Sequence, residues 1–277
     1  MPEPDPEPLE GASSVARAVA RVLRGGCLAA LATVVEAPGA EARVGAKLLV
    51  EDSGRRAGTT GDEGFDEDIF ARASAFLASR AEARTDAASD FAPSREAWRG
   101  ARVLFERIEP EPRVVVCGAG HVGAALARLA GALGYRVTLI DDRADFVARA
   151  RFPGGAIELV SAANWTDPVR EAVGAGRGVS VAVVTRGHNE DEECLRAALD
   201  ARPDYVGMIG SRRRTNIVLA RLREAGCPEE LLREVRAPVG LDIGAVTPEE
   251  VALAILAEIV AHRRGGTGRP LSAWRRE

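Results

Sequence analysis

The sequence predicts an α/β protein in two parts: a C-terminal parallel sheet with helices on both faces, and a smaller N-terminal α/β domain. Three observations predict it. Residues 113–143 (RVVVCGAGHVGAALARLAGALGYRVTLIDDR) read as strand, glycine turn, helix and second strand, the last ending in Asp141 and Asp142. Strand and helix patterns alternate from there onward, as parallel sheets require. Pro110 and Pro112 mark a linker after a half whose pattern is more mixed.

Length and composition set the limits. The 277 residues suffice for two domains of ordinary size, and 46% hydrophobic composition can bury a core in each. A formal net charge of −4 gives no basic excess, so neither nucleic acid nor an anionic membrane is an expected partner. Of 37 lysines and arginines, Lys47 is the only lysine; with abundant alanine this reads as codon bias, and arginine counts carry little information. Cys27, Cys117, Cys194 and Cys227 stand far apart with no CxxC pair, which argues against a zinc site and for a reducing compartment. No signal peptide is legible in MPEPDPEPLE, and the longest apolar run, Val251–Ala261, is too short to span a bilayer. The expected location is cytoplasmic.

Along the chain, residues 1–12 read as a disordered leader of alternating proline and acid. A domain over 13–109 then begins with a helix at Ser13–Arg24, stopped by Gly25 and Gly26. Cys27–Val35 and Gly45–Val50 read as strands. Gly58–Gly64 reads as a loop feeding a helix at Phe65–Arg80, whose apolar face carries Phe65, Ile69, Phe70, Ala73 and Phe76. Ala81–Arg99 reads as a loop and Arg102–Ile108 as a strand.

A second domain over 113–264 is expected to hold strands at Val114–Cys117, Arg136–Asp141, Ile157–Val160, Val179–Val184 and Tyr205–Ile209. Helices are expected at His121–Leu133, Asp191–Asp200 and Arg212–Ala225. A last helix starts on a capping box of Thr247 and Glu250 with Pro248 at its first position. Residues 265–277 are left as a tail.

In such a sheet, ligands bind beyond the carboxyl ends of the strands. Gly118 allows the tight turn, Gly120 removes a side chain where phosphate would approach, and Gly123 lets helix and strand pack closely. The helix N-terminus presents N–H groups and partial positive charge to an anion. His121, at its start, is expected as a neutral imidazole that hydrogen-bonds ligand. Asp141, 23 positions after Gly118, sits where an acid would take ribose hydroxyls; Arg143 keeps a 2′-phosphate open.

Two further loops carry candidates. Thr185–Asp191 places Arg186 and His188 over the turn: Arg186 pairs with an anion and His188 donates or relays a proton, or else His188 and Asn189 only cap the next helix. In Gly210-Ser211-Arg212-Arg213-Arg214, Ser211 caps a helix opened by three arginines that oppose its dipole, a repulsion an anion would relieve; exposed arginines are the plain alternative. The loop Ala237–Ala245 either lines a pocket or only turns the chain. Cys117 reads as a small core residue or, less favourably, as a sulfur-transfer or metal ligand.

With GAGHVG at 118–123, DDR at 141–143, RFP at 151–153, TRGH at 185–188, YVGMIGSRRR at 205–214 and APVGLDIGAVTPEE at 237–250, the chain resembles the xanthine dehydrogenase accessory protein family, XdhC/CoxI. The resemblance implies a Rossmann-like C-terminal domain. It also implies a chaperone that binds molybdenum cofactor, as molybdopterin or its dinucleotide form, supports its sulfuration by a cysteine desulfurase, and hands it to a molybdenum hydroxylase client without turnover of its own. A homodimer stays open. The expected cofactor-binding set is Gly118, Gly120, His121, Gly123, Asp141, Asp142, Arg143, Arg186, His188, Gly210, Ser211 and Arg212. The other readings are an NAD(P)-dependent oxidoreductase, for which His121 and His188 are the available acid or base candidates, and a scaffold that binds nothing.

The N-terminal half departs from the family pattern. Pro38–Val44 lacks a Ser-x-Pro-Arg element before Gly45-Ala46-Lys47, and Asp62 and Glu63 stand where two glycines are usual. Carboxylates there oppose an anion, so ligand binding is expected to rest on the C-terminal loops, with the N-terminal loop weak or idle. Alternatively, the two acids point to solvent and begin the helix.

Overall fold

The computed structural model describes residues 10–25, 27–39, 43–79, 81–174 and 176–272. The proposed leader at 1–9 and the end of the tail at 273–277 lie outside the described residues. The chain divides into two compact units between Pro110 and Glu111.

The N-terminal unit is a sheet between two helices. Its elements are α1 (Glu10–Gly25), β1 (Ala29–Glu36), β2 (Lys47–Glu51), β3 (Arg56–Thr59), α2 (Glu63–Ala78), β4 (Ala83–Ala87) and β5 (Arg102–Ile108). The strands pair antiparallel in the order β3-β2-β1-β5-β4. Alternation sends Ala30, Ala32 and Val34 of β1 to one core with Phe65, Ile69, Ala73 and Phe76 of α2. Ala29 and Leu49 face the other way, onto Val15, Ala18 and Val22 of α1.

Three expectations are corrected in this unit. Residues 10–12 are helical rather than leader. The loop at Gly58–Gly64 gives up its first residues to β3, and the loop at Ala81–Arg99 opens with β4. Both strands lie at sheet edges, and β4 buries little beyond Asp86, so pairing partners rather than their own apolar pattern fix them.

The C-terminal unit runs β6 (Arg113–Cys117), α3 (His121–Ala132), β7 (Arg136–Asp141), β8 (Ile157–Ser161), α4 (Thr166–Val173), β9 (Val179–Val183), α5 (His188–Ala201), β10 (Tyr205–Met208), α6 (Arg212–Glu224), α7 (Glu229–Glu234) and α8 (Pro248–Arg264). Its five strands are all parallel, in the order β10-β9-β6-β7-β8. Val114 and Val116 join the core under α3 and α8, while Val115 and Cys117 join the core under α4, α5 and α6. Both faces of the sheet are covered, as parallel strands demand. The capping box of α8 forms as expected, with Thr247 and Glu250 each bonding the other's backbone N–H.

Winding reverses between β6 and β9, so the carboxyl ends of these two strands flank the crevice where ligands bind in such sheets. On the far side, residues 235–239 run beside β10. Arg236 N–H donates to the Val206 carbonyl (2.9 Å), Met208 N–H to that of Arg236 (2.9 Å) and Val239 N–H to that of Met208 (3.0 Å). The Ala237–Ala245 loop thus begins as a cover for the sheet edge.

Candidate functional site

Two of the three glycines in the turn after β6 are fixed by packing, and the third stands in open space. Gly118 has φ +110°, and a Cβ there would lie 2.6 Å from the Val184 carbonyl oxygen. At Gly123 a Cβ would lie 1.8 Å from the Gly118 oxygen, so only glycine lets the first turn of α3 press on the loop. Gly120, the cap residue of α3, has nothing within 4 Å of where its Cβ would stand. Its missing side chain leaves room outside the protein, beside helix N–H groups that have no intrahelical acceptor.

Asp141, at the end of β7, is only 1% exposed. Its Oδ2 accepts from Ala119 N–H (2.6 Å) and Arg143 Nη2 (2.9 Å), its Oδ1 from Arg143 N–H (2.9 Å) and Nε (2.8 Å). Burial pushes the carboxyl up, but the Arg143 guanidinium and the two backbone N–H groups outweigh it and hold it below the ordinary 3.8. Arg143 also lies over the Phe146 ring at 3.5 Å. Asp141 therefore ties the glycine turn to β7 and to Arg143.

Asp142 has Arg143 Nε only at 3.8 Å and takes its hydrogen bonds from another loop. Its two oxygens accept from Arg186 Nη1 (2.9 Å) and Nη2 (2.7 Å) in a bidentate pair. Arg186 follows β9 and Asp142 follows β7, and β6 lies between these strands, so the pair crosses the end of β6 where the turn sits. Half of the Arg186 side chain is exposed. Glu190 adds a weaker contact to Arg186 at 3.6 Å.

A buried network beneath this loop was not read from the sequence. Asp191 is fully buried; it accepts from Thr185 Oγ1 (2.5 Å) and Arg214 Nε (2.6 Å), and Arg214 Nη2 also donates to the Thr185 carbonyl (3.2 Å). Burial raises the Asp191 carboxyl above its ordinary value against the pull of Thr185 and Arg214. Asp141 ends on the other side of 3.8 because, against its burial, Arg143 and two backbone N–H groups all serve it. The signal was available: Thr185 and Asp191 bracket the quoted loop, and Arg214 is the third arginine of the run.

The remaining candidates divide. Gly187 caps α5, which starts at His188, so His188 and Asn189 are not the cap; His188 is exposed at the first position and Asn189 accepts from Arg221 (3.2 Å). His121 is exposed at the first position of α3. Ser211 caps α6 by accepting from Arg214 N–H (3.2 Å). Gly210 precedes it, and Arg212 and Arg213 are exposed on the first turn while Arg214 turns back to Asp191. These residues follow β10, two strands from the glycine turn. Cys117 is fully buried in the core that also holds Cys194. Among the described residues no group of three His, Cys, Asp or Glu side chains is placed to hold a metal, and no helix is long and apolar enough to cross a membrane.

In the N-terminal unit Asp62 does not point to solvent. It caps α2, with Oδ1 accepting from Phe65 N–H (3.1 Å) and Oδ2 from the Trp98 indole N–H (2.8 Å). Glu63 is exposed on the first turn.

Two family models and several known proteins match the chain. Residues 114–259 match a family model described as the XdhC Rossmann domain, and residues 22–86 one described as the XdhC and CoxI family. The chain is 29% identical over 246 residues to the uncharacterized protein YqeB of Escherichia coli, covering 87% of this chain and 45% of that protein. It is 30% identical over 162 residues to a Bacillus subtilis protein described as a probable xanthine dehydrogenase subunit (58% of this chain, 46% of that protein). To the molybdenum cofactor insertion chaperone PaoD of E. coli it is 29% identical over 154 residues (56% and 41%). The chain thus spans less than half the length of each of these relatives. A crystal structure described as a xanthine dehydrogenase from Bacillus halodurans aligns over 94% of this chain and 97% of its own, at 18% identity and a TM-score of 0.49. With its C-terminal sheet, glycine turn and more than half its length matched, the chain belongs to the XdhC and CoxI family.

Proposed function

We propose that the protein binds molybdenum cofactor and delivers it to a molybdenum hydroxylase. The observation that carries this reading is the open face at Gly120: a helix N-terminus with space beside it, at the switch point of the sheet, with Arg186 above. Relatives described as a cofactor insertion chaperone and as part of a probable xanthine dehydrogenase support the ligand and the client class.

The residues suit a phosphorylated pterin. Gly118, Gly120 and Gly123 would let the phosphate reach the N–H groups of α3, Arg186 would pair with it, and His121 and His188, both on the exposed rim, would donate hydrogen bonds. Asp141, Asp142 and Arg143 hold the turn and its neighbour in place, and Ser211 with Arg212 starts the next helix along the same edge. When bound, the cofactor would supply the client's redox centre, while this chain holds it. The same reading takes the cysteine desulfurase as a transient partner, the cytoplasm as the place of action, and a homodimer as a further proposal.

The test is transfer. Full-length protein is mixed with molybdenum cofactor, separated from free cofactor by gel filtration, and assayed for bound pterin by fluorescence after oxidation, then for reconstitution of a cofactor-free molybdenum hydroxylase. Binding and reconstitution are expected, and both are expected to fail with Gly120→Asp, which puts a carboxylate into the open space. Tight NAD or NADP binding with hydride transfer, and no pterin, would replace this reading with the oxidoreductase.

A further inference from the structure

Which group reads the ligand is decided by the two acids at the end of β7. Asp141 has both oxygens filled by Ala119 and Arg143 and is shielded from solvent, so it has no acceptor left for an incoming hydroxyl. Asp142 is partly exposed, and its bonds are to Arg186, a half-exposed side chain from the opposite rim. Its pairing is the one that solvent can exchange.

The position of that pair matters more than its strength. It joins the loops after β7 and β9 across the end of β6, over the turn whose Gly120 faces open space. Arg151 also reaches the turn, where its Nη1 donates to the Ala119 carbonyl (3.4 Å), but Arg186 is the cation whose bridge crosses it, and Arg186 is held by a carboxylate. Taking Arg186 away leaves Asp142 with only the more distant Arg143 Nε, 3.8 Å off and already bonded to Asp141, so its negative charge is under-compensated beside the incoming one, with Glu190 close to the same Arg186 guanidinium. A ligand that brings only negative charge meets this repulsion. One that also offers N–H or O–H donors to Asp142 replaces both halves of the broken pair.

We propose that the Asp142–Arg186 pair is a strap across the glycine turn, and that it selects phosphorylated ligands carrying hydrogen-bond donors over bare anions. This rests on the reading of the turn as a phosphate site, and it assigns donor recognition to Asp142 rather than Asp141. A pterin, with ring N–H groups beside its phosphate, meets both demands, and so does a nucleoside diphosphate.

The experiment compares two probes by isothermal titration: inorganic pyrophosphate, which has charge and no ring, and ADP, which has the same diphosphate with ribose hydroxyls and an exocyclic amine. Wild-type protein is expected to bind ADP more tightly than pyrophosphate. Asp142→Asn frees Arg186 and removes the repelling charge, so pyrophosphate is expected to tighten about fivefold, the fold-change an exposed ion pair accounts for. ADP is expected to gain less, narrowing the preference. Arg186→Gln is expected to weaken both probes. An unchanged ratio of the two affinities in Asp142→Asn and in Asp142→Ala, with melting temperatures kept, overturns the proposal, as does binding of neither probe by any of these proteins. Molybdenum cofactor binding is measured on the same samples. If the probes behave as stated while the cofactor is not bound, the strap stands and the chaperone reading falls.

Discussion

Asp62 commits each carboxylate oxygen to a different part of the N-terminal unit, one to the first turn of α2 and one to the Trp98 indole. Trp98 is buried and stacked on Phe65 with ring centroids 4.0 Å apart, so its N–H would have no water to turn to. Asp62→Ala removes a helix cap and leaves a buried donor unpaired, together about 3 kcal/mol of stability; chemical denaturation of the variant measures it, and a loss under about 0.5 kcal/mol would count against the role. The Trp98 indole, the Phe65 N–H and the nearby Arg95 hold the carboxyl below its ordinary 3.8. A lowered folded value means that this contribution is complete above that pH and fades as pH falls below it, so the gap between wild type and variant should narrow in acid. The same geometry bears on the N-terminal loop: Asp62→Gly deletes a structural cap before it opens any space for an anion.

At the scale of elements, the turn between β6 and α3 depends on contacts that only glycine permits. A methyl group at Gly123 would lie 1.8 Å from the Gly118 oxygen, and that oxygen belongs to backbone, which cannot swing aside. Gly123→Ala is expected to cost about 2 kcal/mol and to push α3 off the turn, weakening phosphate binding with it; an unaltered denaturation midpoint would show that the loop yields freely. This strand, turn and helix were legible because each residue type has one structural duty there. Other parts were not. The helix α4 was missed because its eight residues bury only Val169 and Val173, too few to show a period. Edge strands β3 and β4 escaped for a similar reason, since their neighbours decide them. Within the site, Arg186 was legible as a cation over the turn, whereas its partner Asp142 and the enclosure of Asp141 by Arg143 depend on side-chain directions that spacing does not encode.

The whole molecule carries separate cores for its two units. One set of buried residues joins α1 and α2 to the antiparallel sheet, and the other joins the helices of the C-terminal unit to the parallel one. Each unit therefore has the means to fold alone. Calorimetry is expected to resolve two transitions, and residues 111–277 produced separately should melt at the midpoint of one of them; a single transition, lost when the chain is divided at Pro110, would show that neither core suffices. Residues 235–239 have a different consequence. By occupying the outer rim of β10 they satisfy amides that would otherwise template growth of the sheet. Strand addition by any second chain is thereby closed on that side, which leaves β8 as the margin of this sheet at which one backbone could extend another. Any chain that docks near β10 has to be recognised by side chains.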